Sequence, residues 1–238
     1  MTRLTYATYL QAEKLLSLQT PLTPETADRS TALAEQFFII AHQACELWVK
    51  QILADLHAAT DAMRPERGQG GGELAAEFLG RAAHLLRLLH DQVLVVEKMP
   101  LRHFAEFRPH LGTASGAQST QFHQLDALLR DDQDPDGIYQ AFVALAHKHG
   151  TSVAEVCGRG TAVGVLHRLA EALIDIGNAH WRWKVAHISV ISAMLNDRQG
   201  TGATNGVEYL IRRTRLPFPE LRRLRAEVHH GFARIDRE

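Results

Sequence analysis

Apolar residues recur at intervals of three and four along most of this chain, and this spacing constrains its fold more than any other feature. The clearest stretches run from Leu33 to Leu56, from Ala75 to Val96 and from Leu166 to Leu195. Such spacing places apolar side chains on one face of an α-helix, whereas a half-buried strand would alternate them. No convincing alternating run bounded by hairpin turns is present. The sequence therefore predicts an all-α fold of about eight to ten helices.

Glycine and proline mark the ends of the predicted helices. These breaks fall at Arg64 to Gly72, Asp131 to Gly137, Cys157 to Gly160, Asn196 to Gly206 and Pro217 to Pro219. None of these segments resembles an interdomain linker in length and composition. Because 238 residues can form one large domain, we predict a single domain over 1–238.

The overall charge argues against several classes of partner. The formal net charge is −1 and the sequence pI is about 6.9, so we expect neither nucleic acid nor acidic membranes, which usually need a strong basic field. No apolar run approaches the roughly 18 residues of a membrane-spanning helix, and the N-terminus lacks the apolar stretch of a secretory signal. The two cysteines alone form neither a disulfide framework nor a zinc motif. These features predict a cytoplasmic protein.

Two histidines stand out because each lies in an apolar helical stretch. His42 lies in the segment from Phe38 to Trp48, and His187 ends the segment that begins at His180. A histidine that faces a core must be hydrogen-bonded, bound to a metal, or left neutral at a cost in free energy. The pair, followed by a glycine-rich turn, suggests a buried cofactor with a ligand on one side and a reaction pocket on the other.

Several kinds of histidine site can be compared with this pattern. A di-iron site needs two Glu-x-x-His motifs, and the chain has one such spacing, from Glu227 to His230. The His-Glu-x-x-His motif of zinc proteases is absent, and a serine hydrolase needs a strand before its nucleophile. Haem suits a single core histidine, because one neutral imidazole supplies the proximal bond to iron. From spacing alone, His180 and His187 compete for that role.

A third feature is Arg108, which directly precedes Pro109. The residue before a proline disfavours the helical conformation, so Arg108 is predicted at the end of a helix. Its guanidinium is a planar fork that suits a carboxylate. The sequence leaves open whether Arg108 binds a ligand or is an ordinary surface arginine.

Taken together, five segments resemble the tryptophan 2,3-dioxygenase family. They occur in the order found in that family and span nearly the whole chain. The matching segments are Tyr6 to Leu10, Phe38 to Lys50, Phe107 to Ser119, Trp181 to His187 and Gly200 to Leu210.

The resemblance implies a helical haem enzyme that uses O₂ to cleave the indole C2–C3 bond of L-tryptophan, giving N-formylkynurenine. His187 would be the proximal ligand of haem b iron, and His42 the distal histidine that contacts the indole nitrogen. Arg108 and Thr201 would hold the amino-acid end of the substrate. Phe38 would form an aromatic wall of the indole pocket.

The resemblance also implies an assembly. Tyr6, Tyr9 and Leu10 belong to an N-terminal segment, residues 1–20, that reaches the site of a neighbouring subunit in the family, and a homotetramer is expected. Ser115 and Gly116 match positions that approach the haem and the substrate.

The sequence departs from the family pattern at several positions. Phe104 stands where a tyrosine near the carboxylate clamp is usual. Three further departures are Ala117, Ala203 and Asn205, and the region from Leu129 to Leu166 is shortened. Two alternatives therefore stay open: a haem monooxygenase of the same superfamily that inserts one oxygen atom into an aromatic amino acid, and a haem-binding sensor. A helical scaffold whose core histidines are satisfied by hydrogen bonds is the simplest non-enzyme alternative.

Overall fold

The computed structural model describes residues 4–64, 66, 70–130, 132–195 and 206–235, and all regular structure within these ranges is helical. The α-helices are α1 (Tyr6–Leu10), α2 (Ala12–Leu16), α3 (Arg29–Met63), α4 (Gly71–Val96), α5 (Leu101–Phe107), α6 (Thr120–Arg130), α7 (Ile138–Lys148), α8 (Val153–Arg159), α9 (Val165–Leu195), α10 (Gly206–Arg212) and α11 (Pro219–Ile235). Short 3₁₀ segments cover Arg108–Leu111, Gly116–Gln118 and Gly160–Val163. The prediction of an all-α fold is confirmed.

Three long helices, α3, α4 and α9, form the centre of the described structure, and α4 packs along both of the others. Each presents an apolar face that is almost fully buried. Fully buried members of these faces are Val49, Ile52 and Leu56 on α3, Leu79, Leu86 and Leu89 on α4, and Leu169, Leu173 and Ile176 on α9. Burying one such aliphatic side chain contributes about 1.5–3 kcal/mol, so these faces fix how the helices lie. None of the described helices is both long and apolar enough to cross a membrane.

The helix α3, which carries His42, has a defined beginning and end. The side chain of Asp28 caps its first turn, accepting a hydrogen bond of 3.0 Å from the backbone N–H of Ser30. The helix ends at Met63 because Arg64, which precedes a proline in the sequence, adopts an extended conformation. The buried carboxylate of Asp55 then joins α3 to α4 by accepting a hydrogen bond of 2.8 Å from Nε of Arg81.

A polar contact at the start of α3 fixes the position of α5. The hydroxyl of the buried Thr31 lies 3.0 Å from Nδ1 of His103 and donates a short hydrogen bond to the carboxylate of Glu106. The hydrogen bond from Thr31, followed by that from Arg102, lowers the pKa of Glu106 to about 2. The carboxylate therefore stays charged at neutral pH and holds α5 against α3.

A second polar cluster joins α6 to α9. The ammonium of Lys184 donates to both carboxylate oxygens of Asp126, at 2.9 and 2.8 Å, and to the carbonyl of Arg213 at 2.9 Å. Nε2 of the buried His180 lies 3.1 Å from the same carboxylate. Burial acts to raise the pKa of Asp126, but these two partners outweigh it and lower the pKa to about 2. Asp126 thus stays ionised and fixes the register of α6 on α9.

Candidate active site between two histidines

His42 is held in one tautomer by its own helix. Its Nδ1 lies 2.7 Å from the backbone carbonyl of Phe38, one turn earlier on α3. A carbonyl can only accept, so Nδ1 carries the hydrogen and donates it. In the neutral ring, Nε2 then bears a lone pair and is a hydrogen-bond acceptor.

The imidazole of His42 favours the neutral form. Desolvation by the surrounding protein lowers its pKa, and the hydrogen bond to Phe38 and the charge of Glu46 oppose this effect only in part. The side chain nevertheless keeps solvent-accessible surface. The lowered pKa and the remaining accessible surface are both expected of a ring that is surrounded by protein atoms on all sides but one. His42 is therefore a neutral acceptor that a ligand can reach.

His187 lies on α9 and is half-buried. Desolvation by burial, with smaller effects from the charges of His42 and Lys184, lowers its pKa to about 4. The ring is thus neutral at pH 7, and no hydrogen bond joins either of its nitrogens to another described residue. Charge on His42 is thus among the influences that lower the pKa of His187. We call His42 and His187 the histidine pair.

The structure separates His187 from its competitor, His180. His180 is almost fully buried, and the charged groups that act on it are Asp126 and Lys184, not His42. It belongs to the polar cluster that joins α6 to α9. His180 is therefore engaged in that cluster, whereas His187 is the candidate to share a site with His42.

Three aromatic rings, one of which is the imidazole of His187, stack in parallel. The ring centroids of Trp183 and His187 are 5.6 Å apart with planes 6° from parallel. Those of Phe122 and Trp183 are 4.9 Å apart with planes 5° from parallel. We call Phe122, Trp183 and His187 the aromatic stack.

A group of phenylalanines connects His42 with the end of α5. The ring of Phe38 lies 4.0 Å from that of His42, 6.1 Å from that of Phe104 and 5.6 Å from that of Phe107, between centroids. Phe104 and Phe107 meet edge to face at 5.4 Å and are buried. Arg108 follows directly, at the point where α5 gives way to a 3₁₀ turn. The expected end of the helix is confirmed, since α5 ends at Phe107, although Arg108 itself keeps helical backbone angles (φ −50°, ψ −39°) and begins the 3₁₀ turn.

Ser115 and Gly116 lie in the connection between α5 and α6. The Ser115 hydroxyl caps the 3₁₀ segment by accepting a hydrogen bond of 3.3 Å from the backbone N–H of Ala117. A Cβ atom built on Gly116 would meet no heavy atom within 4 Å. The backbone at Gly116 therefore faces open space, and α6, which begins just beyond, carries Phe122 of the aromatic stack.

Some of the predicted site residues are not brought to the histidine pair. Tyr6, Tyr9 and Leu10 lie on α1 with 80%, 71% and 45% of their surface exposed. Thr201 lies outside the described residues, as do Ala203 and Asn205. A surface cavity of about 570 Å³ lies elsewhere, and no predicted site residue lines it; its lining is His57, Gln124, Ala127, Leu128, Arg130 and Asp134.

Three residues of the site were not singled out from the sequence: Phe107, Phe122 and Trp183. The signal for Trp183 was present, because residues four apart share a helix face and Trp183 precedes His187 by four. Phe122 is far from Trp183 in sequence, so only the packing of α6 on α9 reveals their contact.

The fold and the site together define an all-α protein built around a histidine pair. Comparison with known proteins gives the family. The family described as Tryptophan 2,3-dioxygenase matches residues 1–142 and 148–228. The chain belongs to the tryptophan 2,3-dioxygenase family.

Individual relatives agree with this assignment. A protein of Nocardioides sp. named tryptophan 2,3-dioxygenase is 32% identical over 264 residues, covering 95% of this chain and 95% of the relative. One of Anaeromyxobacter sp. with the same name is 31% identical over 261 residues, covering 92% and 94%. One of Pseudomonas fluorescens, again with that name, is 28% identical over 270 residues, covering 94% and 92%.

Proposed function

We propose that this protein is a haem-dependent oxygenase that uses O₂ to cleave the indole C2–C3 bond of L-tryptophan, giving N-formylkynurenine. The observation that carries the proposal is the histidine pair of a chain in the tryptophan 2,3-dioxygenase family: the imidazole of His187 is neutral with no hydrogen-bond partner among the described residues, and that of His42 is a neutral hydrogen-bond acceptor.

The residues at the site fit haem. No group of three or more metal-ligating side chains that could hold an ion is found within the described ranges. Of the two neutral imidazoles, His187 has neither nitrogen bonded to another described residue, and it is the one that matches the family's proximal ligand. A single neutral imidazole suits iron that is otherwise held by a porphyrin. When bound, haem would supply the activation of O₂.

His42 would orient the substrate. The hydrogen bond from Nδ1 to Phe38 leaves Nε2 as an acceptor, and an indole N–H is a donor without acceptor capacity. One hydrogen bond between them fixes the indole ring at one edge. The ring of Phe38, which lies 4.0 Å from that of His42 between centroids and is tilted by 38°, offers an apolar wall for the indole face.

Arg108 would bind the carboxylate of the amino acid. Its guanidinium can make two parallel hydrogen bonds to a carboxylate. Phe104 and Phe107, both buried, hold the end of α5 on which Arg108 lies. Thr201 would add a contact to the same end of the substrate. Holding the substrate at both ends restricts its motion over the reacting centre, which favours reaction by an entropic effect.

The N-terminal residues support an assembly of subunits. Tyr6 and Tyr9 expose most of their surface in the single chain. Large apolar groups exposed together mark surfaces that another molecule covers. We therefore propose that residues 1–20 contribute Tyr6, Tyr9 and Leu10 to a neighbouring subunit's site in a homotetramer.

The test of the proposed function is turnover combined with haem binding. The purified protein, loaded with haem and reduced, should convert L-tryptophan to N-formylkynurenine. His187→Ala should lose both the Soret band of bound haem and turnover, because the proximal ligand is removed. His167→Ala, on the same helix but outside the site, is the matched control and should keep both. A normal haem spectrum in His187→Ala would contradict the assignment.

A second variant tests the substrate clamp. Arg108→Ala should weaken L-tryptophan binding by about 1.5–3 kcal/mol, the value of a hydrogen bond to a charged group. Arg87→Ala, which removes an exposed arginine of α4, should leave affinity unchanged. An unchanged Kd in Arg108→Ala would remove Arg108 from the site.

A further inference from the structure

We propose that Trp183 is a positioning residue that fixes the imidazole plane of His187, with Phe122 supporting it from α6. The inference rests on the proposed function, because its readout is the bond between His187 and haem iron. It concerns residues to which the comparisons assign no role.

The geometry of the aromatic stack carries the proposal. Trp183 is 8% exposed and lies within 6° of parallel to the imidazole of His187 and within 5° of parallel to the ring of Phe122. Centroid separations of 5.6 and 4.9 Å lie in the range of favourable offset stacking. Because the three ring planes are nearly parallel in succession, the orientation of the His187 ring matches the orientation of its neighbours.

Trp183 itself is held firmly. His180, one turn earlier on α9, places its ring 6.0 Å away. Phe122 lies on the same helix as Asp126, whose carboxylate is bonded to Lys184, the residue after Trp183. The helix α6, which carries Phe122, is thus bound to two consecutive residues of α9: Phe122 packs on Trp183, and Asp126 bonds to Lys184. A rotation of the Trp183 ring would therefore change its contacts with the rings of both His180 and Phe122.

The consequence for His187 follows from the shape of an imidazole. The lone pair of a ring nitrogen lies in the ring plane, so the orientation of that plane sets the direction of any bond from nitrogen to iron. No hydrogen bond holds the ring nitrogens of His187 among the described residues. In place of the hydrogen-bonded partner that usually orients a metal-binding histidine, the face of Trp183 restrains the ring.

The experiment uses the reduced, haem-loaded protein and two readouts: the iron–histidine stretching band in resonance Raman spectra and the rate of haem transfer to apomyoglobin. Trp183→Leu should shift and broaden the iron–histidine band. It should also speed haem loss by about two- to twelve-fold, which is the factor that corresponds to the interaction free energy of one aromatic pair. Trp183→Phe, which keeps a parallel ring, should retain a band close to that of the unaltered protein. Phe122→Leu should give a smaller shift in the same direction.

The matched control is Trp181→Leu, which removes an exposed tryptophan two residues earlier on the same helix. It should change neither readout. If circular dichroism shows that Trp183→Leu does not fold, the test uses Phe122→Leu and Trp183→Phe instead. An unaltered band in both Trp183→Leu and Phe122→Leu, or equal effects of Trp183→Leu and Trp181→Leu, would overturn the inference while leaving the proposed function intact. If instead His187→Ala keeps the parent band, the proposed function itself fails.

Discussion

Replacing Asp126 with asparagine tests the polar cluster that holds the site together. Asn has nearly the shape of the protonated aspartic acid, so Asp126→Asn removes the charge and keeps the volume. The partners of Asp126 lower its pKa from 3.8 to about 2. At 1.36 kcal/mol per pKa unit, the ionised form is stabilised over the neutral form by roughly 2 kcal/mol.

The expected loss in the free energy of unfolding at pH 7 is therefore at least about 2 kcal/mol. The buried ammonium of Lys184 would also lose its counter-ion, and breaking a buried ion pair on one side costs up to about 3–5 kcal/mol. Because the folded-state pKa of Asp126 is lowered, its contribution is complete above about pH 4 and is lost as the pH falls through about 2.

The assay is urea unfolding at pH 7, followed by circular dichroism. Asp175→Asn is the control, because Asp175 forms a long, exposed contact of 3.5 Å with Arg87 and should contribute less than about 1 kcal/mol. A loss below about 0.5 kcal/mol in Asp126→Asn, equal to that of the control, would refute the reasoning.

Two further predictions concern the positions of α5 and His42. Thr31→Val should lower the free energy of unfolding by about 0.5–1.5 kcal/mol in urea titrations, since the buried hydroxyl of Thr31 no longer bonds to Glu106 and His103. Ser30→Ala, on the exposed side, is the comparison, and equal stability of the two variants would contradict the contact. In calorimetric titrations, His42→Ala should weaken the binding of L-tryptophan by about 0.5–1.5 kcal/mol. It should hardly affect the binding of 1-methyl-L-tryptophan, which lacks the indole N–H. Equal losses of affinity for both ligands would exclude the proposed hydrogen bond. Because the pKa of His42 is lowered, affinity for L-tryptophan should hold at neutral pH and fall only below about pH 6.5, when Nε2 becomes protonated.

Much of the fold could be read from the sequence because it depends on local spacing. The apolar period predicted α3, α4 and α9, and the pair Arg108–Pro109 predicted the end of α5. Both signals act within one or two helical turns, so a single segment contains them.

The arrangement of the site depends on contacts that no segment contains. Spacing could not choose between His180 and His187, which lie two turns apart on one helix. The choice follows from Asp126 on α6, which engages His180 and leaves His187 as the candidate ligand. The contact between Thr31 and Glu106 likewise joins residues on different helices. Such long-range pairing is set by how the helices pack.

The most direct test of the proposed function is the mass of the product formed from L-tryptophan and labelled dioxygen by the reduced, haem-loaded protein. We expect N-formylkynurenine that carries both labelled oxygen atoms, because cleavage of the indole C2–C3 bond places one atom on each carbon. A product with one labelled atom, or no product from protein with a normal haem spectrum, would contradict dioxygenation of tryptophan by this chain.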